Sequence, residues 1–348
     1  MTRFVGKQVL KFVLLMLAVS LVVFFLVSAS PIDPVQANVG QAAYVSMGAE
    51  KRAQLQEYWG VDVPFWERYI KWLVSVCQGD MGTSLRFNAP VTSVIATRAG
   101  SSLLLMTLAW LMSGLMGFVL GIIAGIFRGR WPDKLVRAWC YVLASTPTFW
   151  LGLVMLMVFA VWLGWFPLGF SASIGVASGD VTITDTLYHL ILPVITLSIV
   201  GVSNIALHTR EKTIDIMESD YVKFAHGRGE STCQIILHHG LRNLSLPAIT
   251  LQFASISEIF GGSVLVEQVF SYPGLGQAAV SAGLGSDAPL LAGIALVSAA
   301  LVFGGNLVAN ILYGVIDPRM RKSFDRGRRG RGPGVLARSF KGVRASEK

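Results

Sequence analysis

Gln252, Ser255 and Glu258 stand three residues apart inside an otherwise apolar run, a spacing that places their side chains on one face of a helix. An amide, a hydroxyl and a carboxyl in line can form one wall of an aqueous path for a polar solute. They can equally form a hydrogen-bonded cluster that locks two helices together, and the spacing alone does not choose. Few other groups offer chemistry. The chain has no GxxxxGK followed by Ser or Thr, no HExxH, no GxSxG and no pair of acids inside an apolar run, so it lacks the usual ATP site and the familiar hydrolytic constellations. His238 and His239 are adjacent and point about 100° apart on a helix, a poor chelating pair. Cys77, Cys140 and Cys233 fit no zinc or redox spacing. The sequence therefore predicts no catalytic residue, no metal site and no cofactor in this chain.

The elements that must carry these side chains follow from composition. Of 348 residues 53% are hydrophobic and 14% charged, with a mean hydropathy of +0.60, whereas soluble domains carry about 25% charge. A span needs roughly 20 apolar residues. Six stretches qualify: Val9 to Ser28, Ser101 to Phe127, Ala138 to Leu163, Tyr188 to Leu207, Pro247 to Val266 and Pro289 to Val315. The expected fold is an all-α membrane protein of six transmembrane helices. Four parts follow: an N-terminal segment with the first helix over 1–30, a large extracytoplasmic segment over 31–100, a transmembrane core over 101–318, and a basic tail over 319–348, expected to be disordered.

Lys and Arg orient the bundle. Arg3, Lys7 and Lys11 lie before or at the start of the first span, Arg128, Arg130, Lys134 and Arg137 lie between the second and third, and five more lie between the fourth and fifth. Eleven fill the tail, while the segments 166–187 and 267–288 hold none. Both termini are thus expected in the cytoplasm. The basic tail reads as a topology signal beside an anionic leaflet rather than a nucleic-acid contact. Ser28-Ala29-Ser30 resembles a signal-peptide cleavage site, but five later spans favour an uncleaved first helix. Gly117, Gly121 and Gly125 form a small-residue stripe that lets another helix approach closely, within the bundle or across a dimer.

Apart from Lys11 near the start of the first, all Lys and Arg fall outside the spans, and Glu258 is the one acid clearly inside. A gradient-driven secondary carrier or channel, the alternative class, would be expected to show several buried ionisable groups and broken-helix repeats. Uphill transport by this chain would therefore draw its energy from a partner. The inner loop 209–246 supplies a docking candidate. It holds five basic and five acidic residues and reads as a helix around Ser219 to His226, a glycine break, and a second helix from Ser231 to Arg242, closed by Asn243 to Pro247. Its balanced charge favours a protein surface over a lipid one.

The stretch Asp220-Tyr221-Val222-Lys223-Phe224-Ala225-His226-Gly227-Arg228-Gly229, with His239-Gly240-Leu241-Arg242-Asn243 and Leu246-Pro247 downstream, resembles the loop signature of ABC importer permeases of the dipeptide, oligopeptide and nickel transport group. Further segments agree in order. They are Pro31-Ile32-Asp33-Pro34, Gly79-Asp80-Met81-Gly82-Thr83-Ser84, Pro147-Thr148-Phe149-Trp150-Leu151-Gly152, Leu190-Ile191-Leu192-Pro193, Val266-Glu267-Gln268-Val269-Phe270-Ser271-Tyr272-Pro273-Gly274-Leu275-Gly276 and Asp317-Pro318-Arg319.

The resemblance implies a type I importer permease in the bacterial or archaeal plasma membrane. It implies a second homologous permease, two cytoplasmic ATPase subunits holding ATP and magnesium, and an extracytoplasmic solute-binding protein. The cargo would be a di- or oligopeptide, nickel or a metal chelate. Carried over by position, Asp220, Tyr221, Lys223, Phe224, Ala225, His226 and Gly229 are the ATPase-coupling residues. Gly229 also has a physical reason to be glycine, as a helix end free to adopt positive φ. Phe224 is bulkier than the residue the group usually places there, and Gly227 adds a second glycine. In the outer segment Tyr58, Trp59, Phe65, Trp66, Tyr69 and Trp72 suit either a binding-protein interface or an interfacial anchor.

Overall fold

The computed structural model describes residues 2–30, 34–58, 63–172 and 181–316. Trp59, the Pro31-Ile32-Asp33 piece, the Asp317-Pro318-Arg319 piece and the basic tail lie outside the described residues. The chain opens with α1 (Thr2–Ser28) and four shorter helices: α2 (Pro34–Val39), α3 (Gln41–Ser46), α4 (Ala49–Tyr58) and α5 (Phe65–Cys77). A two-stranded antiparallel hairpin, β1 (Thr83–Ser84) with β2 (Ala89–Pro90), leads into α6 (Val91–Ile126). There follow α7 (Trp131–Ala144), α8 (Thr148–Met155) with a π-helical continuation Leu156–Trp162, and α9 (Ile183–Met217). Next come α10 (Asp220–Gly227), α11 (Thr232–Ile235) with a π-turn at Ile236–Gly240, α12 (Leu241–Ala254), α13 (Ile256–Val269), α14 (Leu275–Leu284) and α15 (Ala288–Ile316).

Among the described residues three helices are long and apolar enough to cross a membrane alone, within α1, α6 and α15; three bent pairs bring the total to six if each is one span. The bent pairs depart from straight spans. α7 and the helix from Thr148 to Trp162 meet at 109°, because Pro147 opens the second helix and disfavours helical backbone before it. α12 and α13 meet at 50°. At this junction the Ser255 hydroxyl bonds the Gln252 carbonyl at 2.8 Å, a back-bond that competes with the helix ladder and bends it. α9 bends by 48°. The helices also overrun the predicted spans: α6 begins at Val91 and passes unbroken across residue 100, and α9 continues ten residues beyond Leu207.

α6 and α9 form the spine. The glycine stripe faces α9 within the bundle: a Cβ on Gly117 would meet Ile205 at 2.8 Å, and one on Gly121 would meet Thr209 at 2.6 Å. Gly125 lies against Thr213 in the same way. Leu105 and Ala109 of α6, Leu190 and Leu197 of α9, and Ile259 and Val266 of α13 share one core with Phe270 and Tyr272.

Two of the outer aromatics are core residues, neither anchors nor interface. Tyr69 and Trp72 pack against Phe24 of α1 and Ala288 and Ala292 of α15, Tyr69 shares a hydrogen bond with Ser20 at 3.0 Å, and Trp72 donates to the Met81 carbonyl. α5 is thus fastened to the bundle. Phe65 packs partly against the same cluster, whereas Trp66 is 62% exposed.

Candidate functional site

Residues 220–227 fold as a separate short helix whose C-terminal end is closed locally. At its C-terminus Gly229 takes φ 86°, its N–H bonds the His226 carbonyl at 2.9 Å, and the Glu230 N–H reaches the Ala225 carbonyl at 3.2 Å. These two bonds around a left-handed residue are a Schellman motif. Gly227, the last helical residue, has open space around its missing side chain, so Gly229 and not Gly227 sets the helix end. The chain restarts at once: Ser231 and Gln234 form a capping box at the start of α11, and His239 lies 3.1 Å from Glu230 across the break.

The eight residues of α10 divide cleanly. Val222 and Ala225 are buried, in a cluster with Ile216, Ile235, Ile236 and Leu244 and partly buried side chains of α6. Asp220, Lys223 and His226 are exposed, as are Tyr221 at 44% and Phe224 at 69%. Six of the seven predicted coupling positions therefore face outward or lie on the surface, while Ala225 anchors the helix from within. The loop is also shorter than predicted. Helix runs through Pro247 in α12, so the segment does not close at Asn243 to Pro247 but enters the next span directly.

Beneath α10 lies a charged junction. Asp133, wholly buried at the start of α7, accepts from Arg210 Nε at 2.5 Å and Nη2 at 2.8 Å, and from the Gly129 amide at 2.8 Å. Arg137 lies 3.2 Å away. A second pair, Arg128 with Glu218, joins the turn after α6 to the residue preceding Ser219. Together they fasten α7 and its preceding turn to the end of α9 from which α10 departs. Sequence reasoning missed Asp133 and Arg210, since partners 77 residues apart leave no local signal.

The polar triad does not share one face. The bend at Ser255 separates its members: Gln252 and Ser255 are buried, and Glu258 is exposed. The Gln252 amide donates to the Trp110 carbonyl, the Trp110 indole returns a bond to the Gln252 carbonyl at 2.7 Å, and Gly114 leaves room for the amide. Gln252 and Ser255 therefore lock α12 to α6 and shape the bend. Glu258 pairs with no described residue.

At the opposite end, Glu267 is wholly buried. It accepts from the Ser102 hydroxyl at 2.6 Å and from the amides of Gly276 at 2.7 Å and Gln277 at 3.3 Å, satisfying the first N–H groups of α14. Ser102 also accepts from the Leu275 amide at 2.7 Å. Burial pushes the hydroxyl of the neighbouring Tyr272 up to about 12, so it stays neutral and donates to the Ser101 carbonyl. Asp287 repeats the device, accepting from Ser84 at 2.6 Å, Arg86 at 3.0 Å and the Leu290 amide at 3.1 Å. Sequence reasoning missed the role of Glu267, since neither its eight-residue distance from α14 nor its partner Ser102 leaves a local signal. Among the described residues no group of three or more His, Cys, Asp or Glu could hold a metal.

Residues 117–322 match the family described as "binding-protein-dependent transport system inner membrane component", and residues 1–100 match its N-terminal companion. The chain is similar to the oligopeptide transport system permease protein AppB of Bacillus subtilis, 33% identical over 325 residues that cover 92% of this chain and 99% of the relative. It is similar also to the glutathione transport system permease protein GsiC of Salmonella paratyphi A, 33% identical over 321 residues and 92% and 99% of the two chains. The same permease of Escherichia coli is 32% identical over 321 residues, with the same coverage. With its apolar helices and these matches along almost its whole length, the chain belongs to the family of inner-membrane permease components of binding-protein-dependent ABC importers.

Proposed function

We propose that this chain is one half of the translocation pathway of an ATP-driven importer of peptides, built of six spans with both termini in the cytoplasm and the outer segment facing the other side. The observation that carries the coupling part is α10: a helix closed at its C-terminus by Gly229, buried on one face and presenting Tyr221 and Phe224 on the other. Exposed aromatics on a short polar helix suit a protein partner. The partner is a cytoplasmic ATPase, one beneath this chain and one beneath a second, homologous permease. ATP and magnesium reside there. Asp220, Tyr221, Lys223, Phe224, His226 and Gly229 form or shape the contact, and Ala225 seats it.

Solute arrives from an extracytoplasmic binding protein, and the path runs between the two permeases, with Glu258 on its wall. ATP binding and hydrolysis below would bias the pair between outward-open and inward-open states. A peptide cargo is favoured over nickel or a metal chelate because the relatives above carry oligopeptide and glutathione in their names. The test is co-purification of this chain expressed with its genomic neighbours, followed by ATP hydrolysis with and without Gly229→Trp. The expected result is a complex with an ATPase and a second permease, uncoupled or released by the substitution. A chain that purifies alone and transports down a gradient would overturn the reading.

A further inference from the structure

Glu258 lies in the first turn of α13, just past the bend at Ser255. It is exposed, and no ion pair or hydrogen bond joins it to any described residue. Below it on the same face, Gly261, Leu265 and Gln268 are exposed too, at the spacing of one helical stripe. A side chain added at Gly261 would meet nothing within 4 Å. This stripe lies on an apolar helix pair long enough to span the membrane. A carboxylate there is unfavourable against lipid and persists where it faces water or a cation. The remaining polar side chains of the bend are engaged elsewhere: Gln252 bonds Trp110 of α6, Ser255 the Gln252 carbonyl and Ser257 the Asn306 amide of α15. Glu258 is thus the one acid on this face.

We infer that the α13 stripe is a cation-attracting wall, and that Glu258 receives the ammonium group of the passing solute. This rests on the permease reading above and adds to it a charge selectivity. A peptide whose amino group is free would be held there by a single charge-assisted hydrogen bond, flanked by space at Gly261 that admits its backbone.

The test uses the assembled importer in membranes, with the two exposed thiols Cys77 and Cys233 replaced by serine and Gly261→Cys introduced; the same background without that cysteine is the control. Modification rates are compared for two methanethiosulfonates of similar size, one bearing a trimethylammonium group and one a sulfonate. A unit charge about 5–6 Å away in bulk water changes each rate roughly threefold in opposite senses, so the cationic reagent should lead by about tenfold. Glu258→Gln should bring the ratio close to one, and Glu258→Asp should keep it. Equal rates with Glu258 present, or a ratio that Glu258→Gln leaves unchanged, would overturn the charge selectivity while leaving the path intact. If neither reagent reacts, with or without ATP, the stripe is covered by protein or lipid, and the placement of the path falls with the inference.

Discussion

At the arginine-rich end of the bundle the buried carboxylate of Asp133 faces the guanidinium of Arg210, with Arg137 close by; at the far end that of Glu267 faces a serine hydroxyl and two backbone amides. The first joins two helices through an ion pair across 77 residues of chain, with one local amide bond from Gly129. The second caps a helix that starts eight residues later and is held mostly by backbone. A carboxylate satisfied by amides fixes one local geometry. An ion pair fixes a junction between bodies, and Arg210 lies ten residues before α10, so this junction sets where the exposed Tyr221 and Phe224 stand.

The largest effect is expected where the contrast is sharpest. Asp133→Ala leaves the buried Arg210 guanidinium with only the exposed Glu211 carboxylate as partner, a loss of about 3 kcal/mol, read as a lowered thermal midpoint of the purified complex. Removing both partners should be milder than removing Asp133 alone; a double variant worse than the single would break the account of the pair. Glu267→Ala comes next. It leaves the Ser102 hydroxyl and the first amides of α14 without their acceptor, at about 1–3 kcal/mol, and should leave the ATPase contact at the other end untouched. An equal loss of that contact would show that the two ends are not separate devices. Smaller still, Gly229→Ala forces a left-handed conformation on an L-residue at about 1–2 kcal/mol. Gly227→Ala, two positions earlier with open space around it, should be neutral or stabilising by up to about 1 kcal/mol. Lys223→Ala, which breaks an exposed pair with Asp220, should change stability by less than about 0.5 kcal/mol.

Where structure is decided locally, the residues announced it. Gly229 as a helix end and the restart of helix at Ser231 were readable because a positive φ and a capping box need only a few neighbouring residues. The glycine stripe likewise announced a close helix contact, and the structure supplied α9 as its partner. Where structure depends on distant chain, the reading failed. The alignment of Gln252, Ser255 and Glu258 assumed an unbroken helix, and the bend at Ser255 turned two of them inward and left the third exposed. Tyr69 and Trp72 read as surface aromatics because their segment lies outside the apolar runs; α5 instead packs on α1 and α15, which buries them.

The outward face of α10 is proposed to hold a separate ATPase. The most direct measurement is native mass spectrometry of the co-expressed complex carrying Tyr221→Ser with Phe224→Ser, two exposed positions whose loss leaves the Val222 and Ala225 seat in place. The expected result is a permease pair that persists while the ATPase on this chain's side is lost. A full complex that retains both ATPases and hydrolyses ATP at the unmodified rate would contradict the assignment of α10.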